Sequence, residues 1–205
     1  ATNTSSTSTV LDLATVIKAS LAISGEIELG NLLSTLMQVV MENAGAQTGA
    51  LVLLKEENPM LVVRCINGNC CNLVSQTPVT AEEAPLSLVN YVRRTKETVV
   101  IKNAAKDKTW ARAPYIVENQ PLSVLCSPII NRGKAIAVLY KENNLIPGAF
   151  TSDRQEILNI LCSQAAVSLE NAQLYQQSQD YAQKLERSLQ QLQEAQLQLV
   201  LGEKM

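Results

Sequence analysis

Leu185, Leu192 and Leu199 stand seven residues apart in a tail made largely of Gln, Glu, Lys and Arg. Ala182 and Leu189 join them in one heptad register; Tyr181, Ser188 and Ala195 join them in the other. A stripe this narrow specifies a coiled coil rather than a helix lying on a globule. Leucine at these positions has nowhere to hide on an isolated helix, so a second chain is expected along Tyr181, Leu185, Leu189, Leu192 and Leu199. The tail does not begin as a separate element. It continues an amphipathic helix that starts near Thr151 or Ser152, either of which can cap it. Ile157, Leu158, Leu161, Ala165, Val167, Leu169 and Leu174 give that helix a broad apolar surface. A head whose last helix leaves as a rod couples its own shape to whatever follows.

The head reads as mixed α and β. Helical spacing runs through Leu13, Val16, Ile17 and Leu21, and again from Leu29 to Asn43 through Leu32, Leu33, Leu36, Val39 and Val40. Strands are expected at 49–55, 60–66, 73–79 and 98–102, with a turn at Asn67-Gly68-Asn69. A helix opens at Pro85 and runs to Thr95. Residues 103–121 read as irregular and mostly polar. A final hairpin, 122–131 and 135–142, turns at Asn131-Arg132-Gly133-Lys134. Pro128 within it implies an edge or a bulge. Residues 1–9 read as a disordered Ser/Thr-rich leader, 10–175 as one domain, and 176–205 as the coiled-coil linker.

Several functions are excluded by composition. Histidine is absent, which removes Ser-His-Asp and Cys-His catalysis and His-held zinc or haem from this chain. No metal site is read. No run approaches the ~20 apolar residues of a membrane span, and the N-terminus has no signal-peptide pattern. Its first residue is not Met, as in an excised fragment. Net charge is -2 and only 3% of residues are aromatic. With no strongly basic segment read, neither nucleic acid nor membrane is expected as a partner. Five cysteines, an odd number, fit a reducing cytoplasm rather than a secreted disulfide framework.

Cys65, Cys70 and Cys71 lie within seven residues, near a strand end and a turn. They can form a disulfide with one another or with a partner, and Cys126 is a fourth redox candidate. Cys162 reads as a small hydrophobe on the last helix. An iron–sulfur cluster on these thiols is the weaker variant, because the spacing matches no ferredoxin run.

The ordered set of segments resembles a GAF domain. It is carried by Ala46-Gln47-Thr48-Gly49-Ala50, Pro85-Leu86-Ser87-Leu88-Val89, Ser127-Pro128-Ile129-Ile130, Gly133 to Tyr140, Phe150-Thr151-Ser152-Asp153 and Ala165 to Ala172. The wording of the last two regions is similar to the GAF module of large cyanobacterial kinases that join a Ser/Thr kinase to a histidine kinase. The resemblance implies an α+β, PAS-like fold. A central antiparallel sheet of about six strands carries terminal helices on one face, and those helices often dimerise. A small-molecule pocket would lie on the other face under 103–121, lined by Asp107, Trp110, Arg112, Tyr115, Cys126 and Tyr140. A bilin linked through a Cys-His pair is disfavoured, since 103–121 holds neither residue. The cyclic-nucleotide signature is kept only at Phe150 and Asp153; Arg154 replaces its Glu, and Asn131-Arg132 only loosely echoes its Asn-Lys. The resemblance therefore implies a non-catalytic sensory module ahead of a kinase. A cysteine-based methionine sulfoxide reductase and a ligand-free dimerisation module are the alternatives.

Overall fold

The computed structural model describes residues 29–54 and 58–204. The leader and the helix expected from Val10 lie outside them. Helix α1 (Leu29–Ala44) buries Leu32, Leu33, Leu36, Met37, Val40 and Met41 along one face. Each such side chain contributes roughly 1.5–3 kcal/mol on leaving water. Strands β1 (Thr48–Leu54), β2 (Pro59–Ile66) and β3 (Asn69–Pro78) follow, then α2 (Leu86–Thr95) and β4 (Val99–Ile101). A single 3-10 turn (Ala104–Lys106) and α3 (Pro114–Asn119) lead into β5 (Ser123–Asn131), β6 (Lys134–Asn143) and α4 (Ser152–Glu203).

All six strands form one antiparallel sheet, ordered β3-β2-β1-β6-β5-β4. Its two faces carry two separate cores. On one face α1 and α4 pack over Leu51, Leu53, Val63, Leu125, Ile129 and Leu139. On the other, α2, α3 and the chain between them cover Ala50, Val52, Val124, Cys126, Val138 and Tyr140. Alternation along each strand assigns the residues to the two layers.

Both tight hairpins place a residue followed by Gly in left-handed backbone: Asn67 and Gly68 at φ 51° and 79°, Arg132 and Gly133 at φ 49° and 77°. This is the turn whose twist matches paired strands. The first turn is shorter than expected. β3 begins at Asn69, so Cys70 and Cys71 belong to a strand rather than to the turn. Pro128 satisfies both expectations for it. β4 begins opposite Cys126, leaving β5 an outer edge at Pro128, and the register slips between Ile129 and Ile130. The segment 103–121, expected to be irregular, contains the 3-10 turn and α3, because Pro114 supplies a preset first helical residue.

Gly49 lets α1 approach β1. A Cβ there would stand 2.7 Å from the Met41 sulfur and 3.2 Å from the Tyr140 carbonyl oxygen.

Candidate functional site

Three of the expected pocket residues meet. α3 drops Tyr115 onto the sheet, where its ring meets that of Tyr140 edge-on at 5.7 Å. Both phenols donate to one carboxylate oxygen, Glu142 Oε2: Tyr140 at 2.6 Å and Tyr115 at 3.1 Å. Glu142 is only 2% exposed. Burial, reinforced by the adjacent carboxylate, holds both phenols well above the usual tyrosine range. Cys126 packs in the same cluster, and burial alone pushes its thiol far up. It packs as a core residue, and burial disfavours its thiolate. The arrangement ties the covering segment to the central strand, with the chain's own side chains where a pocket was expected.

The remaining expected pocket residues stand apart. Asp107 Oδ1 accepts the backbone N–H groups of Thr109 and Trp110, both at 2.9 Å. Trp110 is half-buried edge-on to Tyr91, at 5.5 Å. Arg112 is exposed.

The redox candidates divide between the two faces. Cys65 and Cys70 sit opposite each other on β2 and β3 and are joined as a disulfide. Cys65 is fully buried in the helix-face core; Cys70 is half-buried against it. Cys126 belongs to the other face. Cys71, Arg64, Ala50, Tyr140 and Cys126 form one row across the sheet, with Cys71 and Cys126 at its ends. Four strand spacings separate those two backbones, about 19 Å. The four thiols therefore cannot share an iron–sulfur cluster. Among the described residues, no group of three His, Cys, Asp or Glu is placed to hold a metal.

Lys141 is the residue that sequence reading missed. It points to the helix face from the centre of the sheet and is 2% exposed. Val40 and Asn43 of α1, with Arg154, Ile157, Leu158 and Leu161 of α4, line the crevice it occupies. Its Nζ lies 5.4 Å from the Phe150 ring centroid. Burial brings its pKa down to about 7; Arg154 acts in the same direction and Cys162 opposes it. Burial raises Cys162 to about 12, with Lys141 opposing. The signal was in the sequence: Lys141-Glu142 is a charged pair inside a strand that has neighbours on both sides.

The α4 helix passes the expected domain boundary at Tyr175 without interruption. Thr151 occupies its cap position but makes no side-chain cap bond. All five expected seam residues are exposed. So are Ile160, Val167 and Leu174, which continue back from Tyr181 at intervals of seven. Val167 and Leu174 thus stand outside the face that packs on the sheet. Among the described residues, no helix is long and apolar enough to cross a membrane.

A six-stranded antiparallel sheet with its end helices on one face and a helical cover on the other defines a sensory-domain architecture. Residues 28–169 match the GAF domain family, and the chain belongs to it. It is 42% identical over 90 residues to hybrid signal transduction histidine kinase G of Dictyostelium discoideum, covering 44% of this chain and 3% of that protein. It is 26% identical over 170 residues to the peroxide stress-activated histidine kinase mak3 of Schizosaccharomyces pombe, covering 81% of this chain and 7% of that one. The chain thus spans a small fraction of these relatives. Both are eukaryotic histidine kinases, and neither carries the expected cyanobacterial or Ser/Thr-kinase description. Among solved structures, the GAF domain of the Acinetobacter phosphoenolpyruvate-protein phosphotransferase superposes with a TM-score of 0.60 at 22% identity, covering 80% of this chain and 95% of that one. That likeness bears on the fold. Membership of the family and kinase relatives support a sensory regulatory module.

Proposed function

We propose that this chain is the non-catalytic input module of a cytoplasmic histidine kinase, that its input is thiol oxidation at Cys65 and Cys70, and that its output leaves along a paired α4. The pairing of Cys65 with Cys70 carries this reading. The bond closes the outer hairpin directly beneath α1, and α1 packs against α4. A peroxide-class oxidant takes two electrons. The half-buried Cys70, as thiolate, attacks a peroxide oxygen to give a sulfenic acid and release water. Cys65 then displaces hydroxide, which leaves as a second water, and the disulfide forms. The name of the Schizosaccharomyces pombe relative, peroxide stress-activated, accords with such an input. A Ser/Thr kinase in the same full-length protein rests on the sequence resemblance alone.

Peroxide treatment of the reduced chain is expected to lower its intact mass by about two daltons. Cys65→Ser or Cys70→Ser should abolish that loss, and Cys71→Ser or Cys126→Ser should leave it. An unchanged mass in the parent chain removes the redox input.

The output makes a separate prediction. The parent chain should sediment as a dimer, and Leu185→Asp with Leu192→Asp as a monomer, because a carboxylate at a seam position must be buried without a partner. A monomeric parent at high concentration defeats this part of the reading.

The methionine sulfoxide reductase alternative loses ground because Cys126 is buried, protonated and four strands from Cys71. The ligand-free dimerisation alternative is favoured in one respect, the packing of Tyr115 on Tyr140. It differs from the redox reading in predicting no response of α4 to peroxide.

A further inference from the structure

Several connections emerge at one end of the sheet. Ile101 ends β4 opposite Val124, Ser123 pairs with Asn143 at the end of β6, and Glu142 lies beside Thr48, which pairs with Ile66. The β2–β3 turn lies at the same end, four strand positions from β4, whereas the chain after β4 and the chain after β6 are neighbours. Hydrogen bonds fix their contact: Gly148 N–H donates to the Lys102 carbonyl at 2.8 Å, and Ser123 Oγ donates to the Ile146 carbonyl at 2.7 Å. Within the loop after β6, Asn143 Oδ1 accepts the N–H groups of Leu145 and Ile146, both at 2.9 Å.

This loop satisfies its own backbone yet holds its side chains outward. Leu145 is 73% exposed and Ile146 53%. Lys102, whose carbonyl accepts the Gly148 N–H, is exposed, as are Lys106 and Lys108 further along the same chain, and among the described residues none of the three makes an ion pair. Asp107, the acid between them, accepts two backbone N–H groups. These lysines belong to a basic run: seven of the 17 basic residues fall from Arg93 to Arg112. α1 finishes at this end of the sheet, where Asn143 Nδ2 donates to the Gly45 carbonyl at 2.6 Å, and α4 begins there. The 52-residue α4 then carries the chain away for about 78 Å.

We propose that this end of the sheet docks on an anionic lipid surface. Aliphatic side chains at a loop tip, with lysines on the adjoining chain, fit a headgroup layer: the tip enters the acyl boundary and the ammonium groups stay with the phosphates. A protein partner fits less well. Protein interfaces are depleted in Lys, and their strongest contacts come from Trp, Tyr and Arg seated in pockets. Nucleic acid would need stacking platforms, and among the described residues no aromatic is exposed at this end. The lack of a spanning helix bears on crossing a bilayer, not on resting against one. The site is independent of the thiol pair and of the α4 seam.

The test is cosedimentation of the whole chain with phosphatidylcholine vesicles, with and without about one-third phosphatidylserine. Binding to the anionic vesicles alone is expected. The Lys102→Glu, Lys106→Glu, Lys108→Glu triple variant should weaken it about a hundredfold, at about fivefold or more per lysine. Leu145→Ser with Ile146→Ser should weaken it at least about tenfold. Absence of binding to the anionic vesicles overturns the proposal, as does binding that either variant leaves unchanged. Equal, lysine-dependent binding to an oligo-glutamate peptide or an oligonucleotide assigns the surface to another partner and also overturns it. In Leu145→Trp, fluorescence should shift to the blue and be quenched by brominated lipid; fluorescence unchanged by anionic vesicles counts against docking.

Discussion

Lys141→Met is expected to stabilise the fold, by roughly 4–5 kcal/mol below pH 7 and by less as the pH rises. In the unfolded chain a lysine titrates near ~10.4; in the crevice between α1 and α4 its pKa is about 7. Below pH 7 both states hold the proton, and folding bears the full cost of burying an ammonium group beside Arg154. Between those two values the unfolded state binds more protons, so stability rises with pH. Above the unfolded value the penalty is gone. Methionine has a similar length and no charge, and so removes the penalty throughout. Cys162 and Cys126 act in the opposite sense. Burial raises both thiols above their unfolded range, so the stability they contribute is full below ~8.5 and is lost as the pH climbs past it. The parent chain should therefore be most stable near pH 8–9. Urea denaturation of both proteins from pH 6 to 10 checks the claim. The difference between them should shrink by about 1.4 kcal/mol per pH unit above pH 7. A difference that does not vary with pH shows that Lys141 is solvated or paired.

Glu142→Ala is expected to cost roughly 3–5 kcal/mol. The carboxylate accepts both buried phenols, and each donor left without a partner costs about 1–3 kcal/mol. The cavity adds to this. Glu142→Gln should cost less, because an amide oxygen still accepts. The decisive measurement is a cycle with Tyr115→Phe and Tyr140→Phe. Once the phenols are gone, Glu142→Ala should cost at least about 2 kcal/mol less than in the parent chain. Full additivity would mean that the three groups do not act as a unit. The same variant should loosen 103–121, since Tyr115 is the anchor that α3 provides. Faster hydrogen exchange there is the expected signature.

Much of the fold was legible because it depends on local pattern. The face of α1, the strand pairs around Asn67-Gly68 and Arg132-Gly133, the opening of α2 at Pro85 and the start of α4 at Thr151 all follow from spacing and turn chemistry. The candidate site was legible only in part. Tyr115, Cys126 and Tyr140 were expected together and do meet. Asp107, Trp110 and Arg112 were grouped with them only because they share a segment. Asp107 is taken up by its own backbone, and Trp110 by Tyr91. Glu142 and Lys141 went unremarked, since a strand pattern does not say which charged residues lie in its centre.

By itself, the sequence determined most of the elements, their order and the apolar seam of the tail, because helix and strand periods are properties of neighbouring residues. Only the tertiary structure decided which thiols meet. Cys65 and Cys70 face each other because β3 starts at Asn69, and Cys126 is kept from them by the pleat of the sheet. Only the layering of α1 and α4 over β6 decided that Lys141 is buried. Burial and cross-strand distance are set by which surfaces pack together, and a linear chain does not carry that information one residue at a time.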